Sequence, residues 1–350
     1  MRMRRGWPRT ASRLLTMPRV PRPCAVPMLV AAAAAAVLAG CGSSDSSTSP
    51  PSTPKPAAPA AAFPPATGTT LAQLKAKYPE GPILAPSVSV LQPGSNRFGF
   101  ALFDKGRNFV NTAAPALYTS KPDGTGLLGP FPARIESLAV RPQFRSQTTA
   151  QDPDAARQVY VADVKFSGPG KHVVAGLARI NGKIVSTTPY GVDVGGDPRT
   201  QPPAPGAKAI RVHTPTLASV HGDAAAIDTR VPAATSLLKA DLYDVLGKKP
   251  VVLTLATPAL CTSRVCGPVV DVVDQVASET GSKVAFIHNE IYKNNKINDG
   301  LRPQPAAYRL ASEPWTFVID RNGVVRTRFE GAFSAGELKR AVAQVNGGKI

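Results

Sequence analysis

Two cysteines in the C-terminal third of the sequence carry its most reactive chemistry. Cys261 and Cys266 are separated by four residues in the run LCTSRVCGPVV. Two thiols this close can form a disulfide and, where one is activated as a thiolate, can exchange disulfides with other thiols. The same pair has a second interpretation, a structural disulfide that only stabilises an exported domain.

The spacing of the pair restricts the backbone around it. On a continuous helix, residues five apart point about 140° away from each other, so the two sulfurs would not meet. Pro is favoured in the first helical turn, so we expect a helix to begin near Gly267–Pro268. Residues 257–266 are then a loop that brings Cys261 to Cys266. The helix N-terminus lowers the pKa of a neighbouring thiol, here Cys266, and the charge of Arg264 acts in the same direction.

Flanking apolar runs predict the elements that position this loop. VVLTLA (251–256) and VAFIH (284–288) have the length and composition of buried strands. The helix between them has an apolar face made of Val269, Val270, Val272, Val273 and Val276, with Asp271, Asp274 and Gln275 opposite. TFVID (316–320) and VVRTRFEG (324–331) flank a hairpin turn, and Ser334 with Glu337 predicts the start of a last helix.

The run VVLTLATPALCTSRVCGPVVDVVDQVA, followed by EPWTFVIDRNGVV, resembles the thioredoxin superfamily over about residues 240–348. The resemblance implies an α/β domain, a mixed sheet with helices on both faces. It implies thiol–disulfide oxidoreductase activity without a cofactor, and a cis-proline, Pro314, packed against the disulfide. It favours Cys261 as the nucleophile and Cys266 as the resolving cysteine, whereas local electrostatics favour Cys266. We predict that Cys261 attacks.

By motif, the sequence resembles the TlpA-like and peroxiredoxin-Q-like thiol–disulfide proteins. The Q-type peroxiredoxins also have Cys-x₄-Cys after Thr-Pro, but Thr257 lies four residues before Cys261 instead of three, and Trp315 replaces their Arg. A peroxidase is therefore an alternative function. In another alternative, His288 and Glu290 join the cysteines in a metal site similar to that of Sco-type copper chaperones. We predict neither a metal nor a cofactor.

The N-terminal residues predict export and lipidation. Residues 1–22 are rich in arginine, and Val26 to Leu38 form an apolar run of signal-peptide length. The run ends in Leu-Ala-Gly-Cys, which resembles a bacterial lipobox. Residues 1–40 are then a signal peptide that removes Cys24, and Cys41 carries lipid at the extracytoplasmic face of the cell membrane. Cys261 and Cys266 remain as the free pair, outside the reducing cytosol.

Composition divides the rest of the chain. Residues 41–82, rich in Ser, Pro and Ala, predict a tether. Short strand-like runs separated by turns over 83–195 predict an all-β immunoglobulin-like sandwich, with neither the Cys nor the Trp of true immunoglobulin domains. Residues 196–239 predict a linker and lead-in segment, and 240–348 the thioredoxin-like domain.

The formal net charge of +18 is partly a property of the leader, because seven basic residues and no acidic ones precede Cys41. The remaining charge is dispersed and accompanies no nucleic-acid-binding motif, which argues against a nucleic-acid partner. We therefore expect a membrane-anchored thiol–disulfide oxidoreductase that acts on the thiols of an exported protein. The alternative is a non-enzymatic binding lipoprotein with a structural disulfide.

Overall fold

The computed structural model describes residues 54–348. Alternating apolar residues between positions 83 and 194 build short antiparallel strands, because alternation gives each strand one face to bury. These strands are β1 (Ile83–Pro86), β2 (Gly94–Phe103), β3 (Ala114–Ser120), β4 (Leu128–Pro132), β5 (Arg134–Ser137), β6 (Gln158–Phe166), β7 (Gly170–Ile180), β8 (Lys183–Ser186) and β9 (Tyr190–Val194).

The nine strands form two sheets with a shared core. One sheet has the order β1-β2-β6-β5, and the other has the order β4-β3-β7-β8, with β9 also paired to β7. Phe98, Phe100 and Tyr160 are fully buried in the core that the two sheets share. Residues 183–194 form two strands, β8 and β9, since the chain leaves the sheet at residues 187–189, which include a proline.

Part of the predicted tether packs against the sandwich. The helix α1 (Leu71–Ala76) begins with a capping box of Thr70 and Gln73, and its Leu71 and Leu74 are buried. The hydroxyl of Tyr118 donates a hydrogen bond to the carbonyl of Pro64, 2.7 Å away. Apolar side chains at intervals in this Pro- and Ala-rich segment therefore pack it against the sandwich. Within the described residues, the chain contacts the sandwich well before position 82.

A third sheet holds the predicted C-terminal strands. It consists of β10 (Val251–Leu255), β11 (Ala285–Asn289), β12 (Trp315–Ile319) and β13 (Val325–Glu330) in the order β11-β10-β12-β13. The pair β10–β11 is parallel and the other two pairs are antiparallel. The remaining α-helices are α2 (Gln147–Gln151), α3 (Leu242–Val245), α4 (Cys266–Thr280), α5 (Pro303–Ala307) and α6 (Ala335–Val345).

Short 3₁₀ turns complete the secondary structure of the described residues. They span Ala60–Ala62, Pro142–Phe144, Ala218–Val220, Ala224–Ala226, Thr235–Leu238, Lys293–Asn295 and Ile297–Asp299. The predicted capping box at Ser334 and Glu337 is confirmed at the start of α6.

The two faces of the third sheet are covered differently. Both long helices, α4 and α6, share one core with Val252 and Val318. The opposite face is covered by the four-residue helix α3, by Tyr308 just after α5, and by extended residues 209–212. The predicted linker therefore supplies part of the core, because Ile210 and Val212 pack there.

The predicted fold class, an α/β thioredoxin-like domain after an immunoglobulin-like sandwich, is wrong for this structure. The described residues are mostly β, in three sheets, and long helices lie on only one face of the third sheet. The difference lies on the face of the third sheet opposite α4 and α6. The resemblance implied helices on that face as well, whereas short turns and irregular segments bury its side chains in the structure.

The sandwich and the third sheet belong to one compact unit. Glu337 of α6 accepts hydrogen bonds from Arg97 at 2.8 Å and from Arg134 at 3.0 Å, both in sandwich strands. Val159 and Val161 of β6 pack in the same core as α4 and α6. The boundary predicted between domains is therefore crossed by a buried ion-pair network and by a shared apolar core.

Several predictions concern residues that are not described. The signal peptide over 1–40, the loss of Cys24 and the lipidation of Cys41 all lie outside the described residues. From residue 54 to residue 348, no helix combines the length and the apolar character needed to cross a bilayer.

Candidate functional site

The two cysteines form a disulfide at the start of α4. Cys261 and Cys266 are bonded to each other, with their Cα atoms 5.9 Å apart. The helix begins at Cys266, one residue before the predicted start, and Pro268 lies in its first turn. Residues 256–265 leave β10 as an irregular loop. The spacing of the cysteines required such a loop, because two cysteines five residues apart on one helix could not meet.

The loop between the cysteines turns at Arg264. This residue has φ 59°, a left-handed conformation that non-glycine residues rarely adopt, and its amide donates to the carbonyl of Cys261 at 3.3 Å. Its guanidinium pairs with Asp152 at 3.3 Å and is half exposed. Arg264 therefore stabilises a thiolate less than predicted, because the carboxylate of Asp152 already compensates its charge.

The two sulfur-bearing residues differ in exposure. Cys261 is 6% exposed and Cys266 is 0% exposed. Residues 262–264 beside Cys261 are exposed, and the hydroxyl of Ser263 lies 3.1 Å from its sulfur. An attacking thiol from outside therefore reaches the sulfur of Cys261 before that of Cys266.

Glu313 is the functional candidate that sequence reasoning missed. Its Oε2 lies 3.6 Å from the sulfur of Cys266 and accepts a hydrogen bond from the amide of Thr257 at 2.9 Å. Burial raises the pKa of Glu313 to about 7, the nearby charge of Glu290 adds to the rise, and the bonds from Thr257 oppose it. The available signal was an acidic residue directly before the proline expected beside the disulfide.

The peptide bond between Glu313 and Pro314 is cis, as expected. Pro314 follows Glu313 directly and precedes β12, so it lies at the start of the strand next to β10. Trp315 is buried and stacks on Phe317 with ring centroids 5.8 Å apart. Its indole nitrogen donates to the hydroxyl of Ser312 at 3.0 Å, so Trp315 packs in the core with its polar atom satisfied.

The side chains opposite the apolar face of α4 are buried as well. Asp271 is 1% exposed and accepts a hydrogen bond from the guanidinium of Arg230 at 2.8 Å. Arg230 is itself buried, and its other nitrogens donate to backbone carbonyls of Phe144 and Pro232. The predicted polar face of α4 therefore faces protein rather than solvent, because segments around residues 144 and 230 pack over it.

Two groups of side chains in the described part of the chain have metal-ligand chemistry. One is Cys261, Cys266 and Glu313, and the other is Asp228, His288 and Glu290. The alternative in which His288 and Glu290 join the cysteines does not match this arrangement, since the structure assigns them to the second group. In the first group, both sulfurs are bonded to each other and offer no thiolate while oxidised.

Comparison with known proteins adds little to this geometry. No protein-family model matches the chain, and no curated protein matches it. Among solved structures, the crystal structure of the Lin-41 filamin domain is similar to part of the chain, with 14% sequence identity and a TM-score of 0.18. The match covers 33% of this chain and 98% of that domain. A TM-score this low supports no argument about fold or activity.

Proposed function

We propose that this chain is a membrane-anchored, extracytoplasmic thiol–disulfide oxidoreductase whose reactive group is the Cys261–Cys266 disulfide. Its substrates are thiols or disulfides of exported proteins, and the reaction needs no cofactor. One observation carries the proposal. Cys261, the more exposed of the two cysteines, precedes three exposed loop residues, while the fully buried Cys266 lies at the start of α4 next to the carboxyl group of Glu313.

The first step follows from the difference in exposure. A substrate thiolate attacks the sulfur of Cys261, a new disulfide forms between substrate and Cys261, and the bond to Cys266 breaks. The electron pair of that bond leaves with Cys266 as a thiolate. The N-terminus of the fifteen-residue helix α4 stabilises the negative charge there.

Glu313 supplies the proton for the leaving sulfur. With a pKa of about 7, part of its population is protonated near neutral pH. The carboxylic acid transfers its proton to the Cys266 thiolate, which gives a thiol and a carboxylate. In the reverse direction the carboxylate removes that proton, and the Cys266 thiolate attacks the mixed disulfide on Cys261 and releases the substrate. Pro314, next to Glu313, is the proline that the resemblance places against the disulfide.

Trapping of the mixed disulfide tests this sequence of steps. Replacement Cys266→Ser removes the resolving thiol, so the Cys261 thiolate should attack the disulfide of an oxidised partner peptide or exported protein, release one of its thiols and accumulate as the mixed disulfide. Cys261→Ser is the matched control, and it should trap at least about tenfold less because Cys266 is fully buried. The adduct is measured by non-reducing electrophoresis and mass spectrometry.

The same experiment separates the rivals. Trapping with Cys261→Ser alone would exchange the roles of the two cysteines. No trap with either variant would favour a binding lipoprotein with a structural disulfide. A reaction of the reduced protein with hydrogen peroxide far faster than that of a free thiolate, and lost in Cys261→Ser, would favour a peroxidase.

The proposed location depends on Cys41. The Leu-Ala-Gly-Cys sequence at residues 38–41 supports lipidation, and the attached lipid would be the membrane partner. The change Cys41→Ala should move the protein from the membrane fraction to the soluble fraction. A variant that stays membrane-bound and is processed at the same bond would contradict the anchor.

A further inference from the structure

A second cluster of chemically active side chains is buried apart from the disulfide. Asp228, His288 and Glu290 are 2%, 1% and 1% exposed, and one ligand atom from each lies within 4.8 Å of one from each of the others. His288 belongs to β11, Glu290 directly follows that strand, and Asp228 comes from the segment before α3. The proposed exchange reaction uses none of the three.

The hydrogen bonds of His288 leave one ring nitrogen facing the carboxylates. Its Nε2 lies 3.1 Å from the carbonyl oxygen of Ala256, and a carbonyl can only accept, so Nε2 carries a proton. Nδ1 has no hydrogen-bond partner and lies 3.5 Å from Oδ1 of Asp228. In the neutral ring this nitrogen presents a lone pair to the centre of the cluster, as a metal-binding imidazole does.

Glu290 has a second atom without a partner. Its Oε1 accepts hydrogen bonds from the amide of Thr229 at 2.7 Å and from the hydroxyl of Thr229 at 2.9 Å. Its Oε2 is buried and has no hydrogen-bond partner. An orphaned buried carboxylate oxygen is costly in a protein interior, so a ligand that binds it gains the free energy that this oxygen otherwise loses.

The carboxylates of Asp228 and Glu290 favour a cation as the ligand of the cluster. Two carboxylates face His288, and a metal cation bound between the three side chains would take the place of a proton on Nδ1. The guanidinium of Arg230 donates its hydrogen bonds to Asp271 and to the backbone carbonyls of Pro232 and Phe144. Arg302 is near enough to Glu290 for their charges to interact, but it donates to the carbonyls of Tyr292 and Ala226 and to the side chain of Asn295.

We propose that Asp228, His288 and Glu290 bind one divalent first-row transition-metal cation. A mixed set of one imidazole and two carboxylates suits zinc, manganese or ferrous iron, and it offers too few oxygens for calcium. Metal–ligand bonds of about 2.0–2.2 Å require the three donor atoms to lie about 3–3.5 Å apart, so the side chains need to close only slightly.

The cation would stabilise the base of the cysteine loop. Asp228 is held by the amides of Arg230 and Ala234, and Thr229 accepts a hydrogen bond from the amide of Ala259. Ala259 lies two residues before Cys261 in the loop. A metal ion that binds Asp228 and Glu290 therefore connects the segment around residue 229 to the end of β11, and through Thr229 to the loop.

Cobalt and zinc binding to the full-length protein tests the proposal. The chelator-stripped protein, with its disulfide intact, is titrated with Co²⁺ while visible absorption is followed, and Zn²⁺ is then added in competition. We expect one equivalent of each metal to bind, and the double variant Cys261→Ser/Cys266→Ser should bind equally well. Glu290→Gln and His288→Gln should weaken binding at least about tenfold.

The control is His213→Gln, which alters a surface histidine paired with Asp241 and should leave binding unchanged. Zn²⁺ should also raise the unfolding temperature of the wild type and the double cysteine variant, but not that of Glu290→Gln. If a variant fails to fold, anomalous diffraction from zinc-soaked wild-type crystals should give a peak at His288 Nδ1.

Three results would overturn the site. In the first, the wild type does not bind the metal stoichiometrically. In the second, binding disappears in the double cysteine variant. In the third, neither His288→Gln nor Glu290→Gln weakens binding. The first would mean that protons alone neutralise the cluster. The second would assign the metal to Cys261, Cys266 and Glu313, and the third to another part of the chain. None of these results bears on the trapping experiment, so the two proposals fail separately.

Discussion

The interior of the sandwich and the region at the ends of β10 and β11 differ in what they bury beside hydrocarbon. Between the sandwich sheets lie side chains such as Phe98 and Phe100, and the one polar atom of Tyr160 there donates to the carbonyl of Val110 at 2.7 Å. At the ends of β10 and β11, by contrast, His288 and Glu290 are buried and Glu313 is partly buried.

The difference indicates where the chain performs chemistry. Burial of an ionisable group is costly unless it is paired, whereas burial of an aromatic ring is favourable. The sandwich interior holds aromatic rings and a hydrogen-bonded tyrosine, whereas the region around the third sheet holds an acid beside the disulfide and a separate buried cluster of two acids and a histidine. Concentration of such groups at one place is typical of functional sites. Three variants test the contrast.

The largest expected effect is on stability and concerns the sandwich. Phe100 is fully buried and stacks on Tyr160 with ring centroids 5.5 Å apart. Phe100→Ala should lower the free energy of unfolding by about 3–5 kcal/mol, because it leaves a cavity in a close-packed core. In the folded protein the rate of disulfide reduction should not change. Denaturant unfolding and dithiol reduction measure the two, and a tenfold slower reduction would mean that the sandwich takes part in the site.

A smaller effect is expected from the buried ion pair on α4. Asp271→Asn removes the carboxylate closest to the buried guanidinium of Arg230 and leaves only that of Asp274 at 3.7 Å, which should cost about 3 kcal/mol in unfolding free energy. Asp197→Asn is the matched control, since Asp197 pairs with Arg199 at 2.7 Å on the surface and its loss should leave the free energy of unfolding unchanged. Equal losses in the two variants would show that burial does not determine the strength of these pairs.

The smallest effect should depend on pH. The pKa of Glu313 is raised from 4.5 to about 7 in the folded protein, so its contribution to stability is complete below pH 4.5 and is lost as the pH rises to 7. Glu313→Gln removes this loss. The stability of the variant relative to the wild type should therefore increase by about 2–3 kcal/mol between pH 4.5 and pH 7.

The same variant tests the proton transfer. Glu313→Gln should slow reduction of the disulfide by about tenfold to a hundredfold, and it should remove the pH dependence near 7. Urea unfolding at several pH values and stopped-flow reduction measure the two effects. A constant difference in stability at all pH values would mean that Glu313 is ionised throughout and transfers no proton.

The sequence predicted individual helices and strands better than it predicted how they pack together. The apolar runs predicted β10 and β11 within a residue or two, the capping box predicted the start of α6, and Pro268 indicated the start of α4 within a residue. Each of these signals is local, because it depends on residues that are close in sequence.

The errors came from contacts distant in sequence. The fold class was wrong because Ile210 and Tyr308, each alone in a weakly patterned segment, cover a sheet face that helices were expected to cover. Glu313 was missed because its effect depends on Cys266, 47 residues away. Asp271 was expected on a polar face because its partner Arg230 lies 41 residues earlier in a segment without a regular pattern.

The reduction potential of the Cys261–Cys266 disulfide tests the central claim most directly. It is measured by equilibration of the folded protein with glutathione or dithiothreitol buffers, with the free thiols then quantified by alkylation and mass spectrometry. Stabilisation of the Cys266 thiolate by α4 and of its thiol by Glu313 favours the reduced form, so we predict a potential above about −300 mV. A potential below about −300 mV would identify a structural disulfide and contradict the proposed exchange function.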